Sequence, residues 1–166
     1  MNLSEAKTNF IQQWGELGTN WGINKTKAQI HALLMISSKP MCADQIMEAL
    51  EISRGNVCMN LKALLDWGLI HKMCQEGCRK EFYVAEKEMF KIFRQILLHR
   101  KKQELEPILK MMEEYSGVEE NCNESKAFCS MVRDIKYFST KADATLDRLL
   151  QTNPDWFMGS FLRMIK

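Results

Sequence analysis

Arg54, Asn56 and Lys62 place a guanidinium, an amide and an ammonium within nine positions. These side chains do no covalent chemistry. They read hydrogen-bonding edges: Asn can pair bidentately with adenine, and Lys and Arg reach guanine or phosphate. Arg79 and Lys80 follow as two adjacent cations. Cys74 and Cys78 flank Gln75-Glu76-Gly77 and offer a candidate thiol pair that oxidation could join. Two ordinary reduced cysteines are the plainer reading of the same residues. Six cysteines without a C-x-x-C pair, and His31, His71 and His99 scattered along the chain, lack metal-ligand spacing, so no metal or cofactor is expected. The sequence has no nucleophile–base pairing, no suitably spaced carboxylate pair and no phosphate-cradling glycine loop, which argues against an enzyme. Trp14, Trp21, Trp67 and Trp156 raise the idea of an aromatic cage for a quaternary ammonium effector. Trp14 and Trp21, seven apart on one helical face, equally suit core or dimer packing.

The chain that must position these groups has 166 residues, 46% of them apolar, with 23 basic and 21 acidic side chains. A globule of this length buries roughly 70% of its unfolded surface and needs no disulfide or metal staple. No apolar run approaches the ~20 residues of a membrane span, and the first residues lack the apolar stretch of a signal peptide. These features predict a cytoplasmic protein without a membrane partner. A net charge of +2 neither demands nor excludes a polyanionic partner.

Helical spacing of Phe10, Trp14, Leu17 and Trp21 predicts a first amphipathic helix over about residues 3–20. Thr26-Lys27-Ala28-Gln29 reads as a capping box that opens a second helix, ending near Ser37-Ser38 before Lys39-Pro40. A third, short helix runs from Ala43 to Leu50 with Cys42 at its N-cap. A fourth spans about 54–67 behind Ser53 as N-cap. A hairpin follows, residues 69–74 and 78–84, around a three-residue loop. Further on, a long amphipathic helix over 86–115 must kink or restart at Pro107. Residues 113–125, with five Glu and no Lys or Arg, read as an acidic, solvated linker. A helix over about 123–151 and a short apolar one after Pro154 complete the chain.

Three short helices, the last two joined by a tight turn, and then a two-stranded hairpin are the order of a winged helix-turn-helix. On the fourth helix, at ~100° per residue, Val57, Leu61, Leu64 and Leu65 cluster on one side, while Gly55, Asn56, Met59, Lys62 and Ala63 lie roughly opposite. That outward face is small and uncrowded enough to approach base edges. Arg54 at its N-terminus suits a phosphate, and Arg79 and Lys80 sit where a wing would meet the backbone. The same face is also compatible with an ordinary solvated surface, since residues 20–82 carry eight basic against six acidic side chains.

The run Ile52-Ser53-Arg54-Gly55-Asn56-Val57-Cys58-Met59-Asn60-Leu61-Lys62-Ala63-Leu64, followed by Asp66-Trp67-Gly68-Leu69-Ile70, closely resembles the recognition-helix segment of GbsR/MarR-type transcriptional regulators. Trp21-Gly22, Lys25-Thr26-Lys27-Ala28 and Gly77-Cys78-Arg79-Lys80 fit the same pattern, and the match covers roughly residues 8–115. The resemblance implies a homodimeric winged-helix DNA-binding protein, usually a repressor, with flanking helices at the dimer interface. By position it assigns Ser53, Arg54, Asn56 and Asn60 to the recognition helix and Arg79 and Lys80 to the wing. Cys58 and Cys42 depart from the residues common at their positions.

The expected architecture is therefore mainly α: a winged helix-turn-helix domain, with a three-helix core and a two-stranded β-wing, and long flanking dimerisation helices. Residues 1–24 would form an N-terminal dimerisation helix, 25–85 the DNA-binding domain and 86–166 a helical dimerisation region. The flanking helices carry more apolar stripe than one winged domain can cover, which also points to a homodimer. A two-fold dimer would read double-stranded DNA at a palindromic operator, with half-sites about 34 Å apart. The expected function is a dimeric, sequence-specific transcriptional regulator responding to a small-molecule effector or a redox signal. The competing reading is a winged-helix interaction scaffold that does not touch DNA.

Overall fold

The computed structural model describes residues 1–74 and 80–152. In chain order the helices α1 (Leu3–Asn20) and α2 (Lys25–Ile36) precede a two-residue strand β1 (Met41–Cys42), α3 (Ala43–Leu50) and α4 (Arg54–Asp66). Strands β2 (Ile70–Cys74) and β3 (Glu81–Ala85) lead to α5 (Met89–Arg100), a π-turn over Lys101–Leu105, α6 (Glu106–Tyr115) and α7 (Asn123–Gln151). The chain divides into two compact units, Met1–Gln95 and a helical one that begins at Ile96, inside α5.

In the first unit, Ile30 and Leu34 of α2, Ile46 of α3, Val57, Leu61 and Leu64 of α4 and Ile70 of β2 are all at most 2% exposed. Each such side chain contributes roughly 1.5–3 kcal/mol on leaving water. This core fixes how α4 is rolled, and thereby which of its residues face outward. The sheet is antiparallel in the order β1-β3-β2. β1 was not foreseen, because two residues carry no alternation, and it pairs Met41 with Tyr83 and Cys42 with Phe82.

The ends of α1 and α4 share one device. After Trp21 and Trp67, Gly22 and Gly68 take φ of +74° and +68°, a region that costs an L side chain energy. Gly22 N–H then donates to Thr19 O and Ile23 N–H to Gly18 O, while Gly68 and Leu69 do the same to Leu65 and Leu64. Both are Schellman caps, which satisfy carbonyls the helix leaves orphaned. Lys87 closes α2 differently, its ammonium donating to the carbonyls of Met35 and Ser37 at the helix's negative end.

The face of α1 that packs on α2 differs from the expected one. Ile11, Gly15 and Gly18 are the buried residues. A Cβ on Gly18 would lie 2.6 Å from Ala28 Cβ, and one on Gly15 2.7 Å from Gln29 Cγ, so the helices approach through small residues. The aromatic stripe turns away: Phe10 stacks on Trp14 at 5.5 Å, and Trp21 is 55% exposed. The Thr26–Gln29 capping box is not formed either. Asn24 is the N-cap of α2 and accepts from Lys27 N–H, and the Gln29 amide donates to Gln12 on α1.

The hairpin register also corrects the sequence reading. Cys74 pairs with Glu81 and Ile70 with Ala85, a register shifted by three residues from one that would set Cys74 opposite Cys78. The cross-strand partner of Cys74 is therefore Glu81, and Cys78 lies outside the described residues, as do Arg79 and Trp156.

In the second unit, Pro107 has no N–H to give and its ring crowds the preceding turn. The chain answers with the π-turn and restarts as α6 with Pro107 in its first turn. Inside this unit Lys101, 13% exposed, sits between Asp143 (3.1 Å) and Asp147 of α7. The acidic stretch at and after the end of α6 is tied to α7: Glu113 pairs with Lys136 at 2.8 Å, Glu120 with Arg133, and the Cys129 thiol donates to Val118 O. Among the described residues no helix is long and apolar enough to cross a membrane.

Candidate nucleic-acid interface

Ser53 caps α4 by accepting the Asn56 N–H at 3.3 Å, so its hydroxyl is engaged in holding the helix start. With Val57, Leu61 and Leu64 buried, Gly55, Cys58, Met59 and Lys62 form the exposed stripe, and Met59 is 63% exposed. Arg54, in the first turn, is 72% exposed along its side chain. Gly55 has nothing within 4 Å of where a Cβ would stand, so the helix can approach another surface closely there. Cys58 belongs to this stripe, although the wheel of apolar positions did not single it out.

Asn60 is corrected by its burial. It is 2% exposed, and its amide donates to the Asn56 carbonyl at 2.9 Å and to Asn56 Oδ1 at 2.7 Å. It shares the buried stripe at i, i+3, i+4 and i+7 with Val57, Leu61 and Leu64. Its reach is thus to Asn56, whose half-buried side chain it orients. Asn60→Ala should cost about 1–2 kcal/mol of stability through two lost part-buried hydrogen bonds, and reach base preference only through Asn56. Paired denaturation and binding measurements check this; altered base preference at unchanged stability would return Asn60 to the reading surface.

The wing contributes Lys80, whose ammonium is 2.9 Å from Asp44 Oδ2, while Asp44 Oδ1 lies 3.3 Å from Arg54 Nη1. One carboxylate in the first turn of α3 therefore spans two cations from different elements. Its carboxyl is held below the usual range first by the hydrogen bond from Lys80, then by the charges of Lys80 and Arg54. The sequence reading missed Asp44, since a first-turn acid is an ordinary helix feature and its partner Lys80 lies 36 residues away. On the strands Lys72 pairs with Glu81 at 2.6 Å, and the Tyr83 hydroxyl donates to Glu81 at 2.8 Å. Burial, then that carboxylate, pushes the Tyr83 hydroxyl up to about 12.

Other candidates do not converge. Trp67 lies under the Lys27 ammonium, 4.6 Å from the ring centre, and Trp14 is stacked on Phe10. Cys42 and Cys129 are buried, while Cys58, Cys74 and Cys122 are exposed as free thiols. No group of three His, Cys, Asp or Glu among the described residues could hold a metal ion.

Residues 24–72 match the bacterial regulatory protein arsR family, a helix-turn-helix. Over 91 residues, 55% of this chain, it is 26% identical to the HTH-type transcriptional repressor GbsR of Bacillus subtilis (strain 168), covering 50% of it. The HTH-type transcriptional repressor OpcR of the same organism is 21% identical over the same share of the chain, with 49% of it covered. The chain thus spans about half the length of the curated relatives it matches. A solved structure, described as the crystal structure of a transcriptional regulator, superposes with a TM-score of 0.67 at 12% identity, covering 87% of this chain and 95% of that one. Residues 24–72 thus match an arsR-type helix-turn-helix within a winged-helix fold, and the chain is similar to the GbsR-type regulators that its recognition segment resembles.

Proposed function

We propose that this protein is a sequence-specific DNA-binding transcriptional regulator, a repressor that acts as a homodimer. The observation that carries the reading is α4: its apolar face is locked into the core, and its other face presents Gly55, Met59 and Lys62 behind Arg54. Arg54 and Lys80 grip backbone phosphates, Lys62 and Asn56 meet base edges, and Met59 supplies apolar contact in the major groove. Arg79, adjoining Lys80 in sequence, adds a third phosphate cation, and Ser53 serves by fixing the helix start. Relatives named as repressors support repression over activation.

The homodimer is supported by α7. Phe128, Met131, Ile135 and Phe138, at heptad spacing, stand 37–74% exposed, along the flank of the stripe that buries Cys129, Val132 and Ser139. A 3,4-spaced apolar seam is what a second helix packs against. Within the same unit Ala142 and Leu146 continue it into an open groove of about 450 Å³ with Leu97, Leu105 and Ile108. An effector or a thiol signal that releases DNA remains part of this reading, and the exposed Cys58 on α4 makes alkylation of wild-type protein a direct probe of the second.

The test is fluorescence anisotropy with duplex from upstream of the protein's own gene against scrambled duplex, at two salt concentrations, followed by selection from random sequence. The expected result is salt-sensitive binding that prefers one sequence. Asn56→Ala should weaken the preferred site by about 10-fold, within the range for a lost base contact, and barely affect scrambled duplex. No enrichment from the random pool would leave the winged fold as a protein-interaction scaffold.

A further inference from the structure

Asp44 is an acidic residue set among the cations of the proposed DNA surface. Its two oxygens are divided between Arg54 Nη1 at 3.3 Å and Lys80 Nζ at 2.9 Å. All three side chains are substantially exposed, at 38%, 72% and 60% for Asp44, Arg54 and Lys80. The partners come from the first turn of α4 and from the residue before β3, so no single element aligns them. A guanidinium and an ammonium on one oxyanion beside a helix N-terminus form the arrangement a backbone phosphate would receive. Here a side-chain carboxylate of the same chain occupies it.

We propose that Asp44 is an internal stand-in for a DNA backbone phosphate, holding Arg54 and Lys80 in the free protein and displaced from both when duplex binds. The inference rests on the DNA-binding reading and deepens it. Asp44 touches no base, so it lowers affinity for all sequences alike. It therefore keeps the regulator off non-specific DNA without altering which site it prefers. With residues 20–82 carrying eight basic and six acidic side chains, one carboxylate is a large share of the local charge. A phosphate that enters must compete with a carboxylate already paired, and the protein then releases fewer counterions from the DNA than its cations would otherwise allow.

The experiment is anisotropy of wild type, Asp44→Asn and Asp44→Glu on upstream and scrambled duplexes across a salt series. Asp44→Asn is repeated in an Arg54→Gln/Lys80→Gln background. Asp44→Asn should bind both duplexes roughly 3–10-fold tighter at low salt, with a log–log salt slope steeper by about one and an unchanged ratio between duplexes. Asp44→Glu should resemble wild type, and the Asn substitution should have no effect once both cations are gone. Asp44→Ser repeats the measurement if Asn unsettles the start of α3. Equal or weaker binding by a folded Asp44→Asn protein, while wild type still prefers its own site, overturns the inference and leaves the DNA reading standing. Absence of binding by every variant on every duplex overturns both.

Discussion

Ile135→Glu/Phe138→Glu should convert the protein to monomers and reduce affinity for its preferred site by roughly 100-fold, the scale on which joining two binding modules raises avidity. Ile135 and Phe138 are 37% and 74% exposed on the α7 seam, so the charges meet water in the isolated chain. In a dimer the same carboxylates would be buried against their symmetry mates without partners, a cost that neither hydrophobic packing nor hydrogen bonding offsets. Circular dichroism should be nearly unchanged, because Cys129, Val132 and Ser139, which are buried and are not substituted, keep α7 in its unit. Light scattering gives the mass, and anisotropy on full and half sites gives the affinity. If the mass stays that of a dimer, the seam on α7 is not the contact. The outward stripe of α1, with Leu17 and Trp21 at 40% and 55% exposure, would be the next surface to test.

Acid should destabilise the winged unit through His31. This residue of α2 is 4% exposed, its Nε2 has no hydrogen-bond partner among the described residues, and burial lowers it from 6.5 to about 4. The folded state holds the neutral imidazole; the unfolded chain takes up a proton at the ordinary value. Between pH 6.5 and about 4 the unfolded state therefore binds more protons, and stability falls as pH falls. At 1.36 kcal/mol per unit the loss approaches about 3 kcal/mol by pH 4, a large fraction of a small domain's stability. His31→Leu should flatten this slope, because it keeps an apolar group of similar size in the core and has no proton to accept. Asp44, Glu81 and Glu86, whose carboxyls are held below their usual range, also lose stabilisation at low pH. The difference between wild type and His31→Leu isolates the imidazole. Urea midpoints at pH 7.5, 6 and 5 that fall in parallel for the two proteins would show that His31 does not carry the effect.

The helices were legible in the sequence because their information is local. The apolar spacing of α7, Ser53 before α4 and Cys42 before α3 each act within one or two turns, and the structure places the helices there. Local signals fail where two of them compete. Asn24 and Thr26 both offer a cap, and α1 decides between them by engaging Gln29 through Gln12. They also fail where a polar residue joins an apolar stripe. Asn60 has the i+3 spacing of a core position and the side chain of a base reader, and the roll of α4 against the core settles it.

The hairpin's existence was readable and its register was not, because register follows from how β3 lies between β1 and β2, and β1 carries no pattern of its own. Pro107 announced a break, while the π-turn that accommodates it depends on how the unit's helices pack. The candidate site divides in the same way. Sequence by itself determined that Arg54 and Lys62 would lie off the apolar face of α4, since helical periodicity sorts the side chains of that helix into two faces. The tertiary structure alone decided that Asp44, Arg54 and Lys80 share one contact, since charges on separate elements meet only once a common core has set the distance between them.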